Sequence, residues 1–416
     1  MALLKKPVTG MKDILPREME IRNYVMDLVR ETYGNFGFTQ IETPCVEHIE
    51  NLCSNQGGEN EKLIFKILKR GEKLDIANAK DSSDLADSGL RYDLTLPLSR
   101  YYANHANELP SPFKALQMGN VFRADRPQKG RFRQFQQCDI DILGDATSLA
   151  EIELVSATTT LLTKLGFKGF TVRISDRRFL KGIAASCGFE ESEWDTVFII
   201  LDKMDKIGAD GVKEELLKEG YNAEAVEKCM SLFVGGDGTR ENVLSLKERL
   251  GEFLAEGTAE SLISIMDCVN ASKAGDFSIK FDPTLVRGMS YYTGTIFEIE
   301  AAEFSSSIAG GGRYDGMVGR FTGKDVPACG FSIGFERIIT MLLDADFKVP
   351  AKGERVAFLV DKKMSAEGLV EVMKEAASLR AEGKKVLVTQ MMKNKKFQKD
   401  NLEADGYTTI KDFYNK

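Results

Sequence analysis

The sequence predicts an α+β protein of 416 residues: β-rich segments that include a long antiparallel hairpin, interspersed with helices, then a helical insertion and a small α/β unit at the end. Three observations carry this. Residues 115–122 and 132–143 are two β-like runs around a cationic segment, the pattern of a long antiparallel hairpin. Segments 285–299, 307–318 and 328–335 are β-rich and punctuated by glycine, the last running into a helix. After KVPAKGE (348–354) the pattern changes to strand, helix, strand.

Residues 17–33 place apolar residues near a 3.6 period and read as a helix. QIETPC (40–45) reads as a short strand, and the polar stretch 75–89 as a loop or hairpin tip. LRYDLTLPLSRYYANH (90–105) reads as a strand fragment, then Pro97 as a helix start, then a helix. A helix over 147–166 ends at Gly166. From about 176 to 276 the pattern is helical and charged, with Lys/Glu-rich repeats such as VKEELLKEG and no chemical motif. VAFLV, a helix over 365–382, KKVLVTQ and a polar tail complete the chain. The reading divides it into residues 1–350 and 353–416.

Composition narrows the chemistry. With 43% hydrophobic and 29% charged residues the chain is an ordinary globular protein, and no apolar run approaches a membrane span. Seven cysteines, none in a C-x-x-C pair, read as reduced thiols of a cytoplasmic protein. Only His48 and His105 are present, which disfavours a histidine-built metal site or a Ser-His-Asp triad. The formal net charge of −7 argues against broad nucleic-acid binding while permitting a local basic patch. Over 351–416, 14 Lys and Arg stand against 10 Asp and Glu, so basic charge gathers at the end.

FRADRPQKGRFRQF (122–135) holds five cations and one acid. A charge run of this kind is ordinarily a solvated face. The strand leaving it sets it apart: alternation gives one face Arg131, Arg133, Phe135, Gln137, Asp139 and Asp141. That face grades from cations through an aromatic ring to an amide and carboxylates. It suits an elongated ligand with polyphosphate at one end and an ammonium group at the other, since arginine binds phosphate in a bidentate manner. Arg133 to Asp141 spans roughly 26 Å, an upper limit for its length.

Other segments leave alternatives open. GGGRYDGM (310–317) is either a turn or a strand letting a flat ligand approach the backbone. ACGFSIGFERI (328–338) offers Arg337 in a helix's first turn, for phosphate, adenine or a neighbouring acid. LVRGMSYYTGTIFEI (285–299) carries Arg287 and the Tyr291-Tyr292 pair, which suits a site or strand packing equally. Alternation places Asp93 and Thr95 on one strand face.

Taken together these segments resemble a known family. FRADRPQKGRFRQF resembles motif 2 of class II aminoacyl-tRNA synthetases, GFSIGFERI motif 3, and IETPCVEHIENL (41–52) motif 1, the dimer-interface strand with its proline. LVRGMSYYTGTIFEI and GGGRYDGM resemble the two signature motifs of histidyl-tRNA synthetases, and VTGMKDILP and LRYDLTLPLSRYY resemble further family segments. The resemblance implies a six-stranded antiparallel class II catalytic sheet flanked by helices, then an α/β anticodon-binding domain. It implies a cytoplasmic homodimeric enzyme that makes histidyl-adenylate from histidine, ATP and Mg2+, then charges tRNA(His), with no resident metal.

Carried over by position, Arg123 holds the α-phosphate and histidine carboxylate, with Arg131 and Arg133 near the ATP phosphates. Phe135 and Arg337 sandwich the adenine, and Asp125 touches its amino group or the tRNA end. Arg287 is the family's catalytic arginine. Asp93, Thr95, Gln137 and Asp141 take the α-ammonium, with Tyr292 and Tyr314 at the imidazole. Ser290 stands where the family usually has Asp, Asp93 and Asp141 where bacterial members often carry the longer Glu, and the final domain is short for the family. A second implied function is a catalytically silent regulatory subunit of ATP phosphoribosyltransferase in histidine biosynthesis. Retention of Arg123, Arg287 and Arg337 argues for catalysis, and the short tail argues partly for the regulator.

Overall fold

A computed structural model describes residues 3–54, 60–81, 84–128, 130–233, 236–286, 291–301, 307–350 and 353–415, which form two compact units, Met1–Phe347 and Lys348–Lys416. In the first, α1 (Pro16–Asn35) leads into β1 (Thr39–Ile41). Strands β2 (Val46–His48), β3 (Lys66–Leu68) and β4 (Ala86–Leu90) form a small antiparallel sheet in the order β2-β4-β3, with α2 (Ile49–Ser54) beside it. Then come α3 (Thr95–His105), β5 (Phe113–Phe122), β6 (Gln134–Leu143), α4 (Leu149–Lys164) and β7 (Phe170–Asp176).

Among the described residues six α-helices separate β7 from β8 (Phe277–Phe281): α5 (Arg177–Cys187), α6 (Trp194–Leu201), α7 (Met204–Lys218), α8 (Ala223–Phe233), α9 (Arg240–Leu250) and α10 (Thr258–Ser272). The unit closes with β9 (Thr295–Glu300), β10 (Ser307–Arg313), α11 (Gly316–Thr322), β11 (Ala328–Ile333) and α12 (Phe335–Asp344).

The main sheet runs β1-β5-β6-β11-β10-β9-β7-β8. Its six inner strands are antiparallel throughout, the sheet expected from the sequence. Each edge gains one parallel strand, β1 on β5 and β8 on β7, which the expectation lacked. Parallel neighbours need long crossovers, and the helices between β7 and β8 supply one. Helices α1, α4 and α12 pack over one face of the sheet.

Two sequence readings change. GGGRYDGM is no turn: Gly310, Gly311 and Gly312 lie in β10, paired on both sides. A Cβ on Gly311 would fall on the Gly330 carbonyl oxygen, so only glycine fits there. The strand before α3 ends at Leu90, so Asp93 and Thr95 belong to a helix start rather than a strand face.

In the second unit β12 (Arg355–Val360), α13 (Ala366–Ala381), β13 (Lys385–Gln390), α14 (Lys395–Ala404) and β14 (Thr409–Phe413) make a parallel sheet in the order β13-β12-β14. Central β12 is buried on both faces: Val356, Phe358 and Val360 pack with α13, while Ala357 and Leu359 pack with Leu402 of α14. That explains its unbroken apolar run. The stretch read as a polar tail folds into α14 and β14. The Asn394 side chain caps α14 by accepting from Phe397 N at 3.1 Å, and Lys395 and Lys399 bond Asp412 of β14. Among the described residues no helix is long and apolar enough to cross a membrane.

Candidate active site

Strand β6 is the spine of the site. Alternation buries Cys138, Ile140 and Ile142 toward the helices and turns Phe135, Gln137, Asp139 and Asp141 to the open face. That open face floors a cavity of about 860 Å³, within the range of small-molecule sites. Thr95, Arg123, Asp125, Arg131, Tyr292, Tyr314 and Arg337 line it too, as does Asp93. Of the sequence-predicted residues, Arg287 lies outside the described residues, as do Ser290 and Lys129 of the same motifs. Arg133 is described but does not line the cavity. Its Nε donates to the Asp125 carbonyl at 3.1 Å and its Nη1 to the Thr9 carbonyl at 3.5 Å, tying the turn to the N-terminal loop.

The cationic part rests on Arg123. Its Nε donates to the Tyr92 carbonyl at 3.1 Å, and its guanidinium lies 4.2 Å from the Tyr92 ring centroid and 5.2 Å from that of Phe135. Aromatic faces steady the group without cancelling its charge. Arg337 donates to the Ser307 carbonyl from the first turn of α12. The neighbouring Glu336 is fixed by Arg22 of α1 through two bonds of 2.7 and 2.8 Å, and accepts from Gln136 N at 3.1 Å. This buried pair ties α1, β6 and α12 together behind the site.

The acidic part is more deeply buried. Asp93, Asp139 and Asp141 are 4%, 4% and 3% exposed. Asp93 Oδ1 accepts from Leu96 N at 3.2 Å, capping α3, and burial raises its carboxyl above the usual carboxylate range. Asp141 Oδ1 accepts from the Tyr314 hydroxyl at 2.5 Å. Burial pushes Asp141 up to about 7 although that bond pulls the other way. Burial and then the Asp141 charge raise Asp139 well above its ordinary value, and burial likewise raises the Tyr314 phenol. Gly330 makes room here, since a Cβ on it would fall on Asp141 Oδ1.

Among the described residues, three buried acceptors on this wall have no hydrogen-bond partner: Gln137 Oε1, Asp139 Oδ1 and Asp141 Oδ2. Buried polar atoms are ordinarily satisfied, so the wall is built for incoming donors. Tyr291 lies tilted against Tyr292 and edge-on to Tyr314, with ring centroids 4.8 and 6.1 Å apart, giving an aromatic side to the same cavity. Arg313 is a frame residue: buried, it bonds Glu151 of α4 at 2.7 and 2.8 Å and the carbonyls of Asp145 and Thr147 at 3.0 Å.

Sequence reasoning placed Asp139 among the carboxylates of the β6 face but not among the named amine ligands, and assigned no role to Glu298, Glu300 or Ser332; all four line the cavity. The alternation that selected Gln137 and Asp141 also selects Asp139, and Glu298 and Glu300 alternate along β9.

A family model described as histidyl-tRNA synthetase matches residues 10–338. The histidine–tRNA ligase of Leifsonia xyli subsp. xyli is 41% identical over 97% of this chain and 94% of its own. The crystal structure of histidyl-tRNA synthetase from Nostoc sp. PCC 7120 superposes with a TM-score of 0.81 at 29% identity, over 98% of this chain and 91% of that one. An ATP phosphoribosyltransferase regulatory subunit/histidyl-tRNA synthetase from Bacillus halodurans C shares the fold, with a TM-score of 0.78 at 20% identity over 100% of both chains. The match of sequence and fold along nearly the whole chain makes this protein a member of the histidyl-tRNA synthetase family.

Proposed function

We propose that the protein is a histidine–tRNA ligase: it joins histidine and MgATP into histidyl-adenylate with release of pyrophosphate, then passes the histidyl group to the 3′ end of tRNA(His). The observation that carries this reading is one cavity with two opposed sides. Arg123 on one side forms no ion pair among the described residues, and the other is a wall of carboxyls with orphan acceptors. A zwitterionic amino acid and a nucleotide need such a pairing. Magnesium is carried in on the nucleotide.

In the first step the histidine carboxylate attacks the α-phosphorus, a P–O bond forms, and the bond to pyrophosphate breaks. The nucleophile is already ionised, so no protein base is required. The protein's part is positioning and neutralising charge. Arg123 and Arg287 face the α-phosphate and carboxylate, and Arg131 the outer phosphates. Arg133 acts with Arg131 by holding the turn. Phe135 and Arg337 flank the adenine, and Asp125 its amino group or the tRNA end. Asp93, Thr95, Gln137 and Asp141 take the α-ammonium, and Tyr292 and Tyr314 border the imidazole. The two catalytic-core motifs with their arginines, together with the 41% identical ligase, favour this over the regulatory-subunit reading.

Residues 348–416 are the anticodon-binding part in this reading, the enzyme is a homodimer through the motif 1 segment, and it works in the cytoplasm. Charging tests the proposal: tRNA(His) incubated with the protein, labelled histidine and MgATP is expected to accumulate histidyl-tRNA. Absence of charging at saturating substrates contradicts it.

A further inference from the structure

The acid wall contains one more carboxyl than the assigned roles use. Asp139 sits on β6 between Gln137 and Asp141, on the cavity side, with Oδ1 lacking any partner among the described residues. Its Oδ2 accepts from Gln137 Nε2 at 3.3 Å, and the same Nε2 donates to the Ser332 hydroxyl of β11 at 3.5 Å. Among the described residues no ion pair engages Asp93, Asp139 or Asp141. Three buried carboxyls around one cavity cannot all ionise at neutral pH without a cation among them.

We propose that Asp139 is a further substrate-binding residue, the third acid of the amine site, and that entry of the ammonium group expels a proton held by this acid cluster. This rests on the reading of the cavity as a histidine site. The three orphan acceptors match in number the three N–H donors of an ammonium group. The charges around Asp139 agree. Asp141 on its own strand and Asp93 at the start of α3 favour its protonated form. Arg123 from the turn opposes them, as does Arg91. From behind, Tyr33 of α1 and the Cys138 thiol are neutral, both raised by burial. The cluster therefore holds protons while the site is empty, and a bound ammonium replaces one with a fixed positive charge. A carboxyl raised in this way releases its proton on binding at pH values below its raised position and above its ordinary range.

Calorimetric titration of histidine at pH 6, in two buffers of different ionisation enthalpy, counts protons released per histidine bound. Imidazolepropionate, which lacks the amine, accounts for titration of the imidazole itself. The wild type is expected to release about one proton more with histidine than with imidazolepropionate. In Asp139→Asn that excess shrinks, and histidine binds on the order of tenfold more weakly. Asp139→Ser, checked for folding by circular dichroism, is expected to behave alike. Wild-type affinity and an undiminished proton count in both folded variants overturn the assignment of Asp139. A wild type that binds no histidine overturns the underlying reading of the site as well, so the two failures are distinct.

Discussion

The hydroxyl of Tyr314 and the carboxyl of Asp141 meet at 2.5 Å in a buried corner, and the charge state of that pair sets how the site responds to pH. An unfolded chain ionises Asp141 near 4, whereas the folded protein holds its proton to about 7. The folded state therefore binds more protons between those values, and Asp141 lowers stability progressively as pH rises through that window. Asp141→Asn removes the penalty while keeping the acceptor for Tyr314. Denaturation curves are expected to show the variant gaining on the wild type from pH 5 to pH 8, on the order of a few kcal/mol. A difference independent of pH contradicts this. Gly330→Ala is the steric counterpart: its methyl would fall on Asp141 Oδ1. It is expected to cost about 1–3 kcal/mol of stability and to weaken histidine binding, read by denaturation and by titration.

At the scale of elements, the site depends on how α1, β6 and α12 are locked. Arg22→Met leaves Glu336 buried without its cation and is expected to cost about 3–5 kcal/mol in a denaturant titration, whereas Arg22→Met with Glu336→Leu recovers most of it. Equal losses in the single and double variants contradict the pairing. Much of this architecture was legible in the sequence where one period dominates. The face of β6 from Phe135 to Asp141 follows from alternation alone, and Cys138, Ile140 and Ile142 confirm its other side. Legibility failed where local signals compete. LRYDLTL alternates like a strand, but Asp93 turns its carboxylate onto Leu96 N and begins a helix. The glycines of β10 look like a turn because nothing local reveals that Gly330 and Asp141 crowd that sheet. The tail looks polar because α14 buries little beyond Leu402 and Gln398, and β14 is held by pairing with β12. Arg133 looks like its neighbours, yet contacts with Thr9 and Asp125 set its direction, and the first of these is long-range.

The whole molecule comprises two units, each with its own core, and the described cavity lies wholly in the first. The net charge of −7 poses no obstacle to phosphate binding, because the positive charge that matters is local: Arg123, Arg131 and Arg337 line a cavity of about 860 Å³ whose opposite character comes from buried aspartates. In the proposed reading the same division of charge ties the two substrates together, since it sets the amino acid's ammonium among the acids and its carboxylate toward the arginines. Histidine-dependent exchange of labelled pyrophosphate into ATP tests this most directly, because it requires both substrates in one site and no tRNA. Rapid exchange is expected with histidine and MgATP, and loss of at least about a hundredfold in Arg123→Ala, on the order seen when a group stabilising transition-state charge is removed. No exchange at saturating histidine and MgATP, or undiminished exchange in Arg123→Ala, contradicts the account.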